Sequence, residues 1–326
     1  MLRSICLVAS TAVFTQSAWA DVPKVVTDIA PIHGLASMVM GDLGAPSMMI
    51  EPGTSPHSNA MRPSVAAALQ DADVVFWVGE ELSPWLHDPI ETLGETAQHV
   101  ALLDLDASRR LASRDIESFS SQEDDHGHDD HGHDDHDHDN HGHDDHAEEG
   151  HDHDHSGTDP HAWLDPQNAQ TWVTHIAEVL AERAPENADT YKANAASAVQ
   201  QIETAVENAQ ERLSAFQDRP FIVFHDAYQY FETRFGLKAS GALSLSDAVP
   251  PSPSHVAEIQ TRIRETGIVC VFSEPQYSDG LVQTVIDGTE ARSVELDPLG
   301  VALEPGASFY PDLINDMATR FETCLQ

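Results

Sequence analysis

The sequence predicts an α/β protein with two lobes, each built on a sheet of the parallel type, joined by one long backbone helix. Short apolar segments alternate with helical segments in both halves of the chain, an order typical of βαβ units. Between the halves, residues 185–216 carry a continuous helical pattern. These observations place an N-terminal lobe at residues 21–183 and a C-terminal lobe at residues 217–326.

The N-terminal half begins with a predicted strand over residues 24–29, then a turn at Pro31 and a helix from about Gly34. A second strand is predicted for SMMIEPG, because its Pro-Gly pair ends the apolar run. A helix and then a buried strand, residues 74–78, are predicted for SVAAALQDADVVFWVG, and a further strand for HVALLDLD. A loop leading into a helix is predicted for TDPHAWLDPQNAQTWVTHIAEVLAER.

The central helix is predicted over residues 185–216. Pro185 suits a first helical turn, and neither Gly nor Pro interrupts the segment before Pro220. At 1.5 Å per residue a helix of about thirty residues spans about 45 Å, enough to cross the whole molecule. Its small and apolar residues repeat at three- and four-residue steps: Tyr191, Ala195, Ala198, Ile202, Ala205, Ala209, Leu213 and Phe216.

The βα pattern restarts after the central helix. A strand running directly into a helix is predicted for FIVFHDAYQYFETRFG, and a strand for LKASGALSL. A Pro-rich loop and a helix follow in PPSPSHVAEIQTRIRETG. Another strand, helix and strand are predicted for IVCVFSEPQ, DGLVQTVIDGTE and SVELDPLG, and a closing helix for PDLINDMATRFETCLQ.

The first twenty residues have the pattern of a cleaved secretory signal. Arg3 supplies the positive charge, ICLVASTAVF is a short apolar core, and Ala18-Trp19-Ala20 fits the cleavage rule, so the mature chain is expected to begin near Asp21. No stretch of the sequence is long and apolar enough to span a bilayer. We expect an exported protein.

The chain is strongly acidic, with a formal net charge of −39. Fifteen of the acidic residues lie in one run, and without them the net charge is still −24. An acidic surface argues against nucleic acid or an anionic membrane as a partner and suits the attraction of cations. We expect a monomer.

The acidic run, residues 123–155, is also rich in histidine. It contains no apolar residue larger than Ala147, so nothing in it offsets the entropy of ordering a packed core, and we predict disorder. Imidazole and carboxylate are preferred ligands of Zn²⁺ and related cations, so we predict that the run contacts metal ions. The run holds His126, His128, His131, His133, His136, His138, His141, His143, His146, His151, His153 and His155.

Eight histidines lie outside the run, and three of them have a context that favours metal ligation. His57 and His225 follow predicted strands, where open α/β sheets bind ligands, and His161 lies in a loop stiffened by two prolines. Three converging imidazoles make a strong Zn²⁺ site with a fourth position for water or a carboxylate. Spacing alone leaves open whether the three converge. We take His33, His175 and His255 as structural.

The mature chain would contain two cysteines, Cys270 and Cys324. Export to an oxidising compartment favours one disulfide, which would close a loop of roughly fifty residues and contribute about 3–4 kcal/mol. Two buried free thiols are the alternative, and a thiolate metal pair is a weaker one.

Five motifs in one order carry a family resemblance: PGTSPH followed by RPS, then DPHAWLDP, FHDAYQYF, SEPQ and LDPLG. The chain resembles the metal-binding receptors of ABC transporters (the cluster A-I solute receptors), and among them the periplasmic receptors of high-affinity zinc-uptake systems. The resemblance covers nearly all of the mature chain. It implies two α/β lobes joined by a long helix, with the metal held in the cleft between them.

The resemblance also implies the ligands. By motif, the three imidazoles are His57, His161 and His225, and a carboxylate stands at the position of His225 in the relatives that carry Mn²⁺, so a third imidazole favours Zn²⁺. Some zinc receptors have Glu directly before the first ligand, where this chain has Pro56. The fourth position therefore falls to Asp297 of LDPLG or to water.

The zinc branch of the family also resembles this chain in having a His- and Asp-rich insertion before the second ligand loop, which implies weak, accessory metal binding by the run. The disulfide that the resemblance implies joins Cys270 to Cys324. Glu274 of SEPQ is a candidate hydrogen-bond partner of a ligating imidazole, because such rings usually donate their other N–H to a carboxylate or carbonyl.

The sequence thus predicts a receptor, not an enzyme, that captures Zn²⁺ and delivers it to an inner-membrane ABC permease. A periplasmic zinc chaperone is a further candidate partner. Three alternatives stay open: a Mn²⁺ or Fe²⁺ receptor of the same fold, a zinc hydrolase with Glu274 as its base, and a storage or sensing protein that acts through the run.

Overall fold

A computed structural model describes residues 22–58, 60–114, 157–244 and 251–326. The predicted signal segment and the His-rich run, with all twelve of its histidines, lie outside the described residues. Within the described ranges the chain forms two parallel four-stranded sheets flanked by helices, which confirms the predicted fold class.

The N-terminal sheet has the order β2-β1-β3-β4, all strands parallel. Its strands are β1 (Val25–Thr27), β2 (Ser47–Met48), β3 (Val74–Trp77) and β4 (Gln98–Ala101), and its helices are α1 (Ala30–Met40), α2 (Pro63–Gln70) and α3 (His87–Leu93). The prediction that α1 starts near Gly34 after a turn at Pro31 was wrong. The helix begins at Ala30, because proline is well tolerated in a first helical turn, where its missing N–H is not needed.

The central helix is confirmed, with slightly different ends. A 3₁₀ turn, Pro185–Asn187, leads into α5 (Ala188–Leu213), which follows α4 (Pro166–Arg183). The helix ends three residues before Phe216, where a turn closes between the Phe216 N–H and the Leu213 carbonyl. One face of α5 packs against α4, α1 and α9, so the helix contacts elements of both lobes. That face carries Tyr191, Ala195, Ala198, Ile202, Ala205, Val206, Ala209 and Leu213, all buried.

The C-terminal sheet repeats the same topology with the order β6-β5-β7-β8, again parallel. Its strands are β5 (Phe221–His225), β6 (Ala239–Ser244), β7 (Cys270–Ser273) and β8 (Arg292–Glu295), and its helices are α6 (Gln229–Phe235), α7 (Pro253–Thr266), α8 (Gly280–Ile286) and α9 (Phe309–Leu325). No helix of the described ranges combines the length and apolarity that a membrane crossing requires.

The predicted disulfide is present between Cys270 of β7 and Cys324 of α9, with the Cα atoms 5.6 Å apart. Both cysteines are fully buried. The bridge fastens the last helix to the middle of the C-terminal sheet, and it excludes the alternatives of free thiols and of a thiolate metal pair.

Strand order indicates where a ligand belongs. In each sheet the first strand along the chain, β1 or β5, lies between the second and third strands. In each sheet, the connection from the first strand to the second runs toward one edge, and the connection from the second strand to the third runs back past the first strand toward the other edge. This reversal opens a crevice beyond the carboxyl ends of β1 and β5. His225, the last residue of β5, lies at the crevice of the C-terminal sheet.

Candidate metal centre

Three imidazoles from three different elements converge in one place. His57 lies in the loop after β2, His161 directly precedes a 3₁₀ turn (Ala162–Leu164) that leads to α4, and His225 is the last residue of β5. The Nε2 atoms of His57 and His161 are 3.3 Å apart, and those of His161 and His225 are 3.4 Å apart. One ligating atom from each ring lies within 4.8 Å of the other two.

These separations fit a tetrahedral metal. With Zn–N distances of about 2.0–2.1 Å, two nitrogens of a tetrahedral site lie about 3.3–3.4 Å apart. The two measured Nε2 separations, 3.3 and 3.4 Å, match this edge length. The triad therefore leaves space at its centre for an ion of this size.

Asp159 orients His161. One carboxylate oxygen accepts the backbone N–H of His161 at 3.0 Å and lies 2.7 Å from Nδ1 of its ring. Burial raises the pKa of Asp159 to about 7, opposed by the His161 hydrogen bond and by the positive charge of Arg114. Asp159 was not predicted from the sequence. The available signal was its place two residues before a ligand candidate, where Asp commonly accepts the N–H of residue i+2.

Glu274 orients His225, as the sequence suggested. Its two carboxylate oxygens lie 2.8 and 2.7 Å from Nδ1 of the ring, and one of them also accepts the backbone N–H of His225 at 3.3 Å. Glu274 follows β7, the neighbour of β5, and only 2% of it is exposed. The contact therefore fixes the ring from a rigid, buried position.

The two carboxylates determine which nitrogens face the centre. A carboxylate accepts hydrogen bonds, so Nδ1 of His161 and of His225 carries the proton and Nε2 carries a lone pair. The lone pairs of both rings then point at the same small volume from 3.4 Å apart. Lone pairs in this arrangement repel one another unless a cation lies between them, so the site is arranged for a positive ion.

The loop that carries His57 is anchored at Pro56, the preceding residue. The Pro56 carbonyl accepts hydrogen bonds from the Ser83 hydroxyl at 2.9 Å and from the Trp85 indole N–H at 2.8 Å. The His57 backbone N–H donates to the Ser55 hydroxyl at 3.2 Å. His57 is less buried than the other two imidazoles, which places it at the outer side of the triad.

Contacts between the lobes hold the second ligand loop in place. The Trp163 indole N–H donates to the Pro298 carbonyl at 2.9 Å, and the Tyr310 hydroxyl donates to the Trp163 carbonyl at 2.7 Å. The Tyr230 hydroxyl donates to the Asp159 carbonyl at 3.0 Å. The loop with His161 is thus tied to the C-terminal lobe on both sides of this histidine.

Arg114 forms a buried ion cluster beside the triad. Its guanidinium donates to both oxygens of Asp226, the residue after His225, and to both oxygens of Glu232 on α6. Burial raises the pKa of Asp226 to about 6. Ala112 pairs with Thr158 in an antiparallel bridge, so the chain segments on either side of residues 115–156 lie together next to the metal centre.

Asp297 lies outside the converging group. Its carboxylate accepts the backbone N–H of Leu299 at 2.9 Å and that of Val301. It is buried at the end of β8, and it closes the turn that contains Gly300, whose φ is +66°. That Asp297 is the fourth ligand of the ion stays a prediction.

The other histidines of the described ranges make local contacts away from the triad. Nε2 of His33, His99 and His255 lies 3.2, 2.7 and 3.0 Å from the carbonyl oxygens of Pro46, Gly94 and Ala242. His175 pairs with Glu178 at 3.5 Å on α4, and His87 lies beside Asp88 on α3. These contacts are consistent with the structural roles that we expected for His33, His175 and His255.

Comparison with known protein families gives a single result over almost the whole chain. The sequence model of the family described as "ZnuA: Zinc-uptake complex component A periplasmic" matches residues 25–324. The high-affinity zinc uptake system protein ZnuA of Paracoccus denitrificans is 44% identical over 328 residues, covering 100% of this chain and 99% of the relative. The protein of the same description from Brucella abortus is 44% identical and covers 92% and 91%.

Solved structures share the fold. A crystal structure of ZnuA superposes with a TM-score of 0.72 at 20% identity, covering 94% of this chain and 100% of the other. A laminin-binding adhesin of Streptococcus agalactiae superposes with a TM-score of 0.70 at 23% identity, covering 93% and 100%. At these identities the structural likeness establishes the two-lobe architecture alone.

Proposed function

The chain belongs to the ZnuA family of periplasmic zinc-uptake components, and from that premise we propose that it captures Zn²⁺ between its lobes and delivers it to an inner-membrane ABC permease. The proposed ligands are His57, His161 and His225. The observation that carries the proposal is the spacing of their Nε2 atoms, 3.3 and 3.4 Å, which is the edge of a tetrahedral zinc site.

The decisive experiment is a zinc titration of the wild type against His57→Ala, His161→Ala and His225→Ala, with a competing chelator to measure tight binding. Each substitution removes one of three protein ligands, so we expect the tight site to weaken by at least a hundredfold. His175→Ala is the matched control, because its ring lies on the surface of α4 away from the triad. Wild-type affinity in any of the three triad variants contradicts the assignment.

The fourth position of the ion is assigned to Asp297 or to water. In support of water, both oxygens of Asp297 already accept backbone N–H groups. In support of Asp297, the residue is buried in the C-terminal lobe close to the cleft, where its neighbours Pro298 and Leu299 line the same cavity as the triad.

A Mn²⁺ or Fe²⁺ receptor of the same fold is the first alternative. Three imidazoles argue against it, because Mn²⁺ prefers carboxylate and other oxygen ligands. A competition titration with Zn²⁺ and Mn²⁺ decides between the two. We expect Zn²⁺ to displace Mn²⁺ at equal concentrations, and preferential retention of Mn²⁺ contradicts the proposal.

A zinc hydrolase is the second alternative, and Glu274 is its candidate base. Both oxygens of that carboxylate face Nδ1 of His225, on the side of the ring away from the triad's centre. This arrangement supports a receptor, because a general base must reach a water at the open position. Hydrolytic turnover of a zinc-loaded sample that Glu274→Gln abolishes is the result that favours the enzyme.

Storage or sensing by the His-rich run is the third alternative. Deletion of residues 123–155 separates it from receptor function. We expect one tight zinc site to survive the deletion, with weaker sites lost, because the triad draws none of its ligands from the run. Loss of the tight site on deletion assigns the main function to the run.

Export and assembly complete the proposal. We expect the mature chain to begin near Asp21, to be a monomer, and to exchange metal with the permease and with a periplasmic zinc chaperone. The long contact of α5 with both lobes supports a small tilt of the lobes on release, not a wide hinge motion. N-terminal sequencing and the molar mass in solution test the first two expectations.

A further inference from the structure

Arg114 holds the residue that follows one of the proposed ligands. Its Nε–H donates to both carboxylate oxygens of Asp226 at 3.0 Å, and Asp226 directly follows His225. Its two terminal nitrogens donate to the two oxygens of Glu232 on α6, each at 2.9 Å. Because Asp226 is the next residue along the chain, fixing its carboxylate restricts the backbone from which the His225 ring projects.

The segment 111–114, which ends at this arginine, also holds the residue that orients a second ligand. The Leu111 carbonyl accepts the backbone N–H of Asp159 at 2.8 Å. The Asp159 carboxylate in turn lies 2.7 Å from Nδ1 of His161. One short segment therefore connects the surroundings of His161 to those of His225, whose Nε2 atoms are 3.4 Å apart.

The cluster around Arg114 is buried and forms part of the wall of the site. The side chain of Arg114 is 15% exposed, and those of Asp226 and Glu232 are 6% and 3% exposed. Arg114 and Asp226 line a cavity of about 160 Å³ together with all three imidazoles. A planar guanidinium that is held by two carboxylates has little freedom to move, so this part of the wall is rigid.

The charge of Arg114 and its geometry have opposite expected effects on zinc affinity. A positive charge beside a cation site repels the ion, so its removal by itself should tighten zinc binding. Loss of the contacts to Asp226 and Glu232 should instead loosen the backbone beside His225, which weakens zinc binding. The sign of the change in affinity therefore separates the two effects.

We propose that Arg114 is a positioning residue of the metal centre. Without contacting the ion, it holds the surroundings of His161 and His225 at the separation that the ion requires. The proposal rests on the zinc-receptor function proposed above. It gives the segment 111–114, which precedes the His-rich run, a part in zinc affinity that does not depend on any histidine of the run.

The test measures the zinc affinity of full-length Arg114→Met and Arg114→Lys by chelator competition at 25 °C, with circular dichroism to establish that each variant is folded. We expect Arg114→Met to bind zinc about tenfold more weakly, as is typical when a group that orients metal ligands is lost. Lysine keeps the charge but cannot hold both carboxylates in a planar fork, so Arg114→Lys should be intermediate. With Co²⁺ in place of zinc, the visible d–d absorption reports ligand geometry and should change in both variants.

Arg212→Met is the matched control. Arg212 on α5 donates to Glu322 on α9 at 2.8 Å, a partly buried pair away from the triad, so this variant should match the wild type in zinc affinity and Co²⁺ spectrum.

Unchanged or tighter zinc binding by Arg114→Met overturns the proposal, and so does equal weakening in Arg212→Met. Wild-type affinity in Arg114→Lys also overturns it, because the charge alone is then sufficient. If Arg114→Met does not fold, the milder Arg114→Lys decides the question. Failure of the receptor function is recognised separately, because the wild type then binds neither Co²⁺ nor Zn²⁺ tightly.

Discussion

The carboxylate of Glu274 lies 2.7 Å from Nδ1 of His225, and the two residues belong to the ends of adjacent strands. The pair lies between β5 and β7, where the chain connections of the C-terminal sheet run toward opposite edges. Because β5 and β7 are both buried strands, the ring has little freedom to rotate. The sheet itself therefore orients the third imidazole before any ion arrives.

Glu274→Gln tests this orientation. The amide keeps the shape but loses the charge that makes the imidazole a better ligand, so we expect zinc affinity to fall by about tenfold to a hundredfold. A chelator competition measures the change. Glu178→Gln, on the surface of α4, is the control and should bind zinc as the wild type does. Equal affinity in the Glu274 variant would show that the carboxylate is structural only.

Arg114→Met tests the ion cluster beside the site. The substitution leaves Asp226 and Glu232 buried without their cation, and breaking a buried pair in this way costs about 3–5 kcal/mol. We expect the midpoint of denaturant unfolding to fall at pH 7.5, because two buried carboxyl groups then lose the guanidinium that donates to all four of their oxygens.

Arg320→Met is the matched control for this measurement. Arg320 pairs with Asp316 at 3.4 Å on the surface of α9, and exposed pairs contribute about 0–1 kcal/mol. If the two variants lose similar stability, the cluster around Arg114 is no more than a surface ion pair.

Much of the fold was predictable because its signals are local. The central helix follows from an uninterrupted 3.6-residue pattern, and the strands follow from short apolar runs that end in turn formers. The start of α1 was misplaced because Pro31 can either end a turn or occupy a first helical turn, and the local sequence does not distinguish the two.

The convergence of the site is a property of the tertiary structure. His57 and His161 are 104 residues apart along the chain, and His161 and His225 are 64 apart, so no local pattern relates them. Motif resemblance supplied the triad, and Glu274 was recognisable as a carboxylate in a strand-end motif. Asp159 was missed because its role depends on a contact with the His161 ring that forms only in the folded chain.

Removal of the disulfide should lower stability more than it lowers zinc affinity. The bridge closes a loop across a sequence separation of 54 residues, for which the chain-entropy model gives about 4 kcal/mol. We expect Cys270→Ala with Cys324→Ala to unfold at a lower temperature. Alanine is chosen because both sites are fully buried and a hydroxyl would lack a partner there.

Two measurements on the same double variant, its zinc affinity and its thermal midpoint of unfolding, decide this prediction. The bridge supplies no ligating atom of the triad, so zinc affinity at 25 °C should stay within about threefold of the wild type, while the thermal midpoint drops. A large loss of affinity with unchanged stability would instead assign the bridge to the metal site.

Asp28 occupies in the N-terminal sheet the place that His225 occupies in the C-terminal sheet, at the end of the first strand. Its carboxylate accepts the backbone N–H groups of Ile29 and Val78, each at 2.8 Å, and so ties β1 to β3. Burial raises the pKa of Asp28 from 3.8 to about 7, although both hydrogen bonds favour the charged form. Desolvation thus outweighs the two backbone donors.

This shift predicts a stability that depends on pH. Between about pH 4 and pH 7 the folded protein holds a proton on Asp28 that the unfolded chain releases, so the contribution of Asp28 to the free energy of unfolding decreases as the pH rises. A shift of this size corresponds to on the order of 4 kcal/mol across the window. Asp28→Asn cannot titrate, so the wild type should lose stability relative to the variant as the pH rises from 4 to 8. Denaturant unfolding of both proteins with a chelator present, at each pH, measures the difference, and a difference that stays constant over the window contradicts the raised pKa.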